Sequence, residues 1–356
     1  NQQPQTLVLF GTKLGSRPLM QQIDLHGVTA RHRVDGVAAA SPHVAVLLAT
    51  HNSSRFIAEQ LESLTRNHRP FTLYWVDDES TDSTVEDIRS LAARLGIRLV
   101  ELRAARALGV PGTFFFLLDQ VEADVYLFCD HDDIWEPGKI DATVAEILKY
   151  GDEPVFCFSE PKLFVDGHEQ SCRRYFDVIG VSEKEALDIR KALVFNPAVG
   201  NTVGINRSLR DLYLTHATVA KSGAAMHDWW LYLLAATSGK VRFMTGCPTT
   251  LYRQHRGNAL GVTMKPWALK LSTLWAKQKR YRLVVARQAK AYIAVANALD
   301  RTDTRDTLLG TAAVLARVAE RQSLRAIATI ISGRNQPVGA LRALTFLVGC
   351  LLSDAR

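Results

Sequence analysis

The chain is short of cysteine, of long apolar runs and of repeats, and each shortage removes a class of structure. Its five cysteines (Cys129, Cys157, Cys172, Cys247, Cys350) are dispersed over 356 residues with no C-x-x-C pair. That pattern supplies neither a zinc site nor a disulfide framework; it fits reduced, packed thiols in a cytoplasmic protein. No stretch approaches the ~18 consecutive apolar residues of a membrane-spanning helix. Residues 1–30 lack a basic start followed by a long apolar run, so no secretory signal is expected in them. Internal repeats and low-complexity segments are missing too, which excludes a solenoid or a propeller.

What is present is ordinary globular material. Hydrophobic residues make up 47% and charged residues 22% of the chain, enough to build a core and too little polarity for large-scale disorder. The length suits one large α/β domain, or a domain with an appendage. The net charge of +7 is unevenly spread: residues 261–356 hold 16 Lys and Arg against 5 Asp and Glu, and the rest hold 27 against 31. A basic last third beside a mildly acidic body points to two separate tasks.

Residues 1–42 show no clear period and are treated as an N-terminal extension. From Val44 the pattern sharpens. VAVLLA (44–49), LYWV (73–76), IRLVEL (97–102) and VYLF (125–128) have the continuous apolar character of strands buried on both faces. Helical spacing follows in FIAEQLESLTRN, with Asn52-Ser53-Ser54 as a candidate cap. STVEDIRSLAARLG is a second helix, with Gly96 as its stop, and TFFFLLDQV a third. Strand and helix in alternation predict a mostly parallel sheet flanked by helices. VFCFSEPKLFVDGHEQ reads as two strands with Asp166-Gly167 as a hairpin turn, 183–194 as a short helix, and GNTVGIN (200–206) as a strand. RSLRDLYL and HDWWLYLLAATSG (227–239) read as helices, and VRFMTG and TLYRQH as short strands.

Ligands of such sheets bind beyond the carboxyl ends of the strands. Three polar clusters fall there: THN (50–52), DDES (77–80) and DHDD (130–133). One cluster would pass for a helix cap; three at one edge indicate a binding site. Asp130 and Asp132 form a DxD pair, which after a strand can aim two carboxylates at one hard divalent cation and its bound phosphate oxygens. Asp133 can instead cap the helix expected near Pro137. Lys139 either points toward the site or is simply solvated. Asp228 opens a helix, where an acid also suits the helix dipole.

Taken together and in this order, VAVLLATHNSSRFIAEQLESL, VDDESTDST, FCDHDDIWEPGKI, HDWW and YRQHRGN resemble the bacterial family 2 glycosyltransferases, over roughly residues 44–260. Within that family the chain is most similar to a rhamnosyltransferase-like branch. The resemblance implies an A-type glycosyltransferase fold (Rossmann-like) over 43–262. It implies a nucleotide-diphosphate sugar donor, dTDP- or UDP-linked, and a divalent Mg²⁺ or Mn²⁺. It carries Ala49, Thr50 and His51 to the base and ribose, and Asp78 to a pyrimidine N3–H. Asp130 falls at the ribose or a metal-bound water, His131 in the nucleotide site, Asp132 at the metal, and Asp228 at the general base of an inverting displacement. His255 can approach the metal and Arg253 the diphosphate, whereas a lone histidine is otherwise a packed or surface residue. Gly200, Asn201 and Trp229 fall on the acceptor side. His131 stands where the branch usually has Gln, and the loop LGVPGTFFF lacks a basic residue that some relatives direct at the phosphates.

Residues 263–356 are expected to be a basic helical region. Lys and Arg mixed with Trp267, Trp275 and Phe346 fit peripheral contact with a membrane surface, and a helical subdomain with solvated basic faces fits as well. The resemblance implies a glycan or lipid-linked glycan acceptor and a place at the inner face of the cell membrane. No nucleic-acid-binding module accompanies the charge. Two other functions fit parts of the pattern. A nucleotidyltransferase also combines an α/β sheet, carboxylates and metal, but THNSSRF is not its glycine-rich basic loop. A catalytically inactive sugar-nucleotide scaffold would have no need of Asp78, Asp132 and Asp228 together.

Overall fold

Alternate residues of VAVLLA enter two different cores, and this fixes the architecture. The computed structural model describes residues 41–168, 171–255 and 271–318. The chain divides into two units, Asn1–Pro42 and His43–Arg356.

The first half alternates as expected: β1 Val44–Thr50, α1 Ile57–Leu64, β2 Thr72–Asp77, α2 Thr84–Leu95, β3 Leu99–Leu102, α3 Gly109–Gln120 and β4 Val125–Asp130. There follow β5 Ile134–Trp135, α4 Lys139–Ile147, β6 Val155–Ser159, β7 Lys162–Val165, β8 Arg173–Arg174, and the short helices α5 Tyr175–Ile179 and α6 Glu183–Ala186. The rest comprises β9 Gly204–Asn206, α7 Arg207–Thr215, α8 Ala217–Gly223, α9 His227–Ser238, β10 Lys240–Met244, β11 Thr250–Gln254, α10 Leu271–Ala296 and α11 Asp303–Val318.

Seven strands form the main sheet in the order β10-β6-β9-β4-β1-β2-β3. All neighbours pair in parallel except β9, which runs antiparallel to both β4 and β6. A smaller sheet, β5-β11-β7-β8, stands apart. Val44, Val46 and Leu48 face one core with Leu61 of α1, Ile88 of α2 and Val144 of α4. Ala45 and Leu47 face the other, with Phe114 of α3, Leu209 of α7 and Trp230 of α9. Period-two alternation therefore serves two apolar layers, and each fully buried Val, Leu or Phe contributes about 1.5–3 kcal/mol. Within the described part of the basic C-terminal region, Val285, Ala289, Tyr292, Leu308 and Leu315 belong to the second core, and α10 lies against α8 and α11 against α9.

Local signals explain most boundaries. Gly96 ends α2 at φ +68°, its N–H reaching Ala92 and Ala93 carbonyls. The Asn206 side chain takes the N–H of Leu209 to cap α7 and also that of Val155, tying the helix to β6.

Four expectations change. Asn52-Ser53-Ser54 do not cap α1 with a side chain. Asn52 adopts φ +48° and bridges two loops, its N–H to Ser80 Oγ and its Oδ1 to Thr81 N, each at 2.8 Å. Residues 183–194 are not one helix. Asp188 accepts from the Arg190 N–H and guanidinium, and this local pairing starts a separate 3₁₀ turn at Ile189–Lys191. GNTVGIN begins as a 3₁₀ turn, Gly200–Thr202, and becomes a strand only at Gly204. Asp133 caps nothing: α4 starts after Gly138, at φ +81°, and Asp133 is buried elsewhere.

Candidate active site

Parallel register brings the three polar clusters to one edge. Thr50 lies opposite Asp77, and Ala49 lies opposite Asp130. Thr50 Oγ1 donates to Asp77 Oδ1 at 2.8 Å and accepts from the Trp75 indole at 2.9 Å. His51 Nδ1 is 2.8 Å from the Asp78 carbonyl oxygen. The Asp78 carboxylate accepts from the N–H groups of Leu108 (2.6 Å) and Gly109 (2.9 Å), where α3 begins. This fixes the carboxylate and leaves each oxygen a second lone pair for a ligand N–H.

The DHDD turn continues β4 into the site. Burial works against charge on Asp132, yet the His255 hydrogen bond and the nearby His131 hold its carboxyl below the usual range. Desolvation raises Asp130, and the carboxylates of Asp132 and Asp228 push it further in the same direction. Burial lowers His131, and among the described residues its Nδ1 has no hydrogen-bond partner. Asp133, fully buried, is raised by burial and by its two acidic neighbours. It accepts from the Arg253 N–H at 3.0 Å and from the Asn201 amide.

Asp228 stands in the first turn of α9, 5% exposed. Its carboxylate takes hydrogen bonds from the Trp229 N–H (2.6 Å), the Gly200 N–H and the Asn196 side chain. Burial nevertheless lifts it to about 7, in the range where a carboxylate can exchange protons near neutrality. Before it, His227 packs between Phe114 and Phe128 at centroid distances of 4.2 and 4.9 Å. Burial lowers that imidazole to about 3, and it stays neutral.

The donor set suits a divalent cation only in part. Asp132 Oδ2 and His255 Nε2 are 2.8 Å apart, close to the ~3 Å between adjacent ligand atoms about 2.1 Å from one Mg²⁺ or Mn²⁺. Among the described residues no group of three or more His, Cys, Asp or Glu can hold a metal. Asp132 and His255 could therefore supply two ligands to a divalent cation, with phosphate oxygens and water left to complete its coordination.

Several side chains lie elsewhere than expected. Arg253 is not open to a diphosphate: it is 2% exposed, and its guanidinium is paired with Glu59 and Asp166. Asn201 is fully buried behind Asp133, not on an acceptor face. Trp229 is buried with its indole N–H on the Ala192 carbonyl, so it too turns away from an acceptor. Gly200 is next to Asp228, where a Cβ would lie 3.5 Å from Oδ2. Lys139 is not solvated: it is 1% exposed, with Nζ 3.3 Å above the Trp135 ring centroid. Sequence reasoning passed over Asn196, which sits in an irregular loop without a motif. It also passed over Phe56, Glu59 and Asp166, which carry no chemical signature until Arg253 is seen among them. Cys129 and Cys157 are buried, Cys172 and Cys247 are half-buried, and Cys350 lies outside the described residues. Among the described residues no helix is long and apolar enough to cross a membrane. Trp267, Trp275 and Phe346, expected at a membrane surface, fall outside the side chains described.

Comparison with known proteins bears on this edge. The model of "Glycosyl transferase family 2" matches residues 45–209. A dTDP-rhamnosyl transferase RfbG of Shigella flexneri is 25% identical over 263 residues, covering 68% of this chain and 84% of its own. Poly(ribitol-phosphate) beta-N-acetylglucosaminyltransferase TarS of Staphylococcus aureus is 34% identical over 92 residues, a quarter (25%) of this chain and 16% of that protein. The crystal structure of S. aureus TarS 1-349 in complex with UDP-GlcNAc aligns with a TM-score of 0.51 at 16% identity, covering 88% of this chain and 90% of the other. That likeness shows the fold, the A-type glycosyltransferase arrangement expected from the motifs. With a mostly parallel sheet, a carboxylate-rich edge and a match to the family 2 glycosyltransferase model that spans β1 to the start of α7, the chain is similar to family 2 enzymes over residues 45–209 and is a glycosyltransferase.

Proposed function

We propose that the chain is an inverting, divalent-metal-dependent transferase that moves a sugar to a hydroxyl of a surface polysaccharide or lipid-linked oligosaccharide. L-Rhamnose from dTDP-rhamnose is the donor best supported, by the length of the match to a dTDP-rhamnosyl transferase. The observation that carries the reading is the meeting of Asp228 with the DHDD turn: a buried carboxylate lifted to about 7, close enough to raise Asp130, beside an Asp132–His255 pair.

In this reading Asp78 accepts the N3–H of thymine or uracil, a group that cytosine lacks. Ala49, Thr50 and His51 border the base and ribose, and Asp130 with His131 meets the ribose. Asp228 takes the proton of the acceptor hydroxyl as its oxygen attacks the sugar C1. The C1–O bond to the diphosphate breaks in the same displacement, so the configuration at C1 inverts. A Mg²⁺ or Mn²⁺ held by Asp132 and His255 would offset the negative charge on the leaving diphosphate. The basic C-terminal region would keep the protein at the inner membrane face, near a lipid-linked acceptor.

A UDP-sugar donor is the second reading, since the TarS structure with the same fold is a complex with UDP-GlcNAc. One screen separates them. Release of nucleoside diphosphate is followed for dTDP-rhamnose, UDP-GlcNAc and GDP-mannose, with Mn²⁺, Mg²⁺ or EDTA, over a membrane glycolipid extract as acceptor. Metal-dependent turnover of dTDP-rhamnose is expected. Equal neglect of every pyrimidine-linked sugar would sink the proposal.

A further inference from the structure

Arg253 is the largest buried cation of the site, and its described contacts join it to the DHDD turn, to α1 and to the turn after β7. Its Nε donates to the backbone carbonyl of Asp132 at 2.9 Å, and its own N–H donates to Asp133 Oδ1 at 3.0 Å. Its two terminal nitrogens pair with Glu59 of α1 and with Asp166 in the turn after β7. The guanidinium carbon lies over two rings, 5.0 Å from the Phe56 centroid and 4.8 Å from that of Phe164. Phe56 also packs against His255, with ring centroids 4.6 Å apart. One side chain therefore grips the backbone of Asp132 and, through Phe56 and the short stretch of chain to residue 255, borders His255.

We propose that Arg253 is a positioning residue that presets Asp132 and His255 for a divalent cation, instead of a ligand for the donor diphosphate. The inference rests on the metal reading of the preceding section. The chemistry requires arginine. A planar guanidinium serves three acceptors in three directions while its carbon lies over two aromatic rings. A lysine ammonium carries the same charge but cannot hold this geometry. The cation is buried at tolerable cost because two carboxylates flank it. Those carboxylates belong to α1 and the β7–β8 turn, so the brace ties the end of β11 to both. Groups that hold metal ligands in place commonly alter metal affinity by about 10–100-fold when changed.

A purely architectural arginine would lower the melting temperature and leave metal affinity alone in whatever remains folded. A diphosphate ligand would instead weaken UDP in the absence of metal. The test uses the full chain and Mn²⁺ as probe, with bound and free metal read by electron paramagnetic resonance in the presence of UDP. Metal-free UDP affinity is measured alongside by calorimetry. Arg253→Lys is expected to weaken Mn²⁺ by about tenfold or more while metal-free UDP binding stays within twofold. Asp166→Asn, which removes one outer carboxylate and keeps Arg253, is expected to weaken Mn²⁺ by severalfold, and it decides the matter if Arg253→Lys fails to fold. Unchanged Mn²⁺ affinity in whichever variant folds overturns the proposal, as does a loss confined to metal-free UDP. Wild-type protein that binds UDP but no Mn²⁺ removes the metal reading itself, and this inference with it. Wild-type binding with indifferent variants removes the inference alone.

Discussion

Gly200 and Asp228 hold each other in place: the Gly200 N–H donates to the Asp228 carboxylate, and its Cα faces both Asp228 and His227. A Cβ at residue 200 would lie 3.1 Å from His227 Nε2 and 3.5 Å from Asp228 Oδ2. His227 is wedged between two phenylalanines and has little room to yield. Gly200→Ala is therefore expected to displace the base by a few tenths of an ångström. Transfer should fall by about 10–100-fold in kcat, since small misplacements of reacting groups are costly. Affinity for UDP or dTDP should stay within twofold. Equal kcat in the two proteins would show that Asp228 is not the group whose placement limits the reaction.

Asp228 itself gives the sharpest chemical test. Asp228→Asn keeps the shape and most hydrogen bonds but cannot take a proton, so transfer should drop by about 10²–10⁴-fold while nucleotide binding persists. The wild-type pH profile follows from the same group. In the proposed reaction the proton acceptor is the Asp228 carboxylate, and burial lifts its pKa to about 7. Activity should therefore rise with pH through about 7 and level off above about 8. A profile already flat from pH 5 upward would assign the proton to another group.

Lys139 makes a prediction about stability. Burial pushes its amine down to about 7 against the pull of Cys129 and Asp133, whereas the ordinary lysine value is 10.5. Between those two pH values the unfolded chain binds a proton that the folded chain does not, so this group's contribution to stability rises with pH across the window. Below pH 7 its cost is present in full. Lys139→Met removes it. The variant should melt a few degrees above wild type at pH 7, and the gap should close toward pH 10. Calorimetric scans of both proteins across that range decide it, and a gap independent of pH would mean that the amine is not its source.

Much of this fold was legible because its signals are short-range. Apolar runs such as VAVLLA and VYLF need only their own composition to be recognised as buried strands. Gly96 needs only its left-handed backbone to end a helix. The edge clusters converge because parallel register follows from the strand–helix alternation, and register alone puts Thr50 beside Asp77 and Ala49 beside Asp130. What resisted reading depends on partners far along the chain. Arg253 looks like a phosphate ligand until Glu59, 194 residues away, is found on its guanidinium. Asp133 looks like a helix cap until Asn201 and Arg253 are found holding it inside. Lys139 looks solvated because nothing in WEPGK says that Trp135 covers it. A sequence carries charge and polarity position by position, whereas satisfaction of a buried charge is a property of the assembled site.

The lone reversed strand, β9, has an evolutionary consequence. Because β9 runs against its neighbours, the chain that leaves the sheet at the end of β6 returns to it at the same edge. Everything from Glu160 to Val203 is thus an excursion whose two anchors sit close together on the side where the carboxylates gather. Such an excursion can change length in its loops without shifting the register of any strand of the main sheet, although it carries β7 and β8 of the smaller one. Its last turns carry Asn196 and Gly200, which hold Asp228. Changes in its loops can therefore leave the main sheet untouched, provided that Asp166 still meets Arg253 and its final few residues still hold the Asp228 carboxylate.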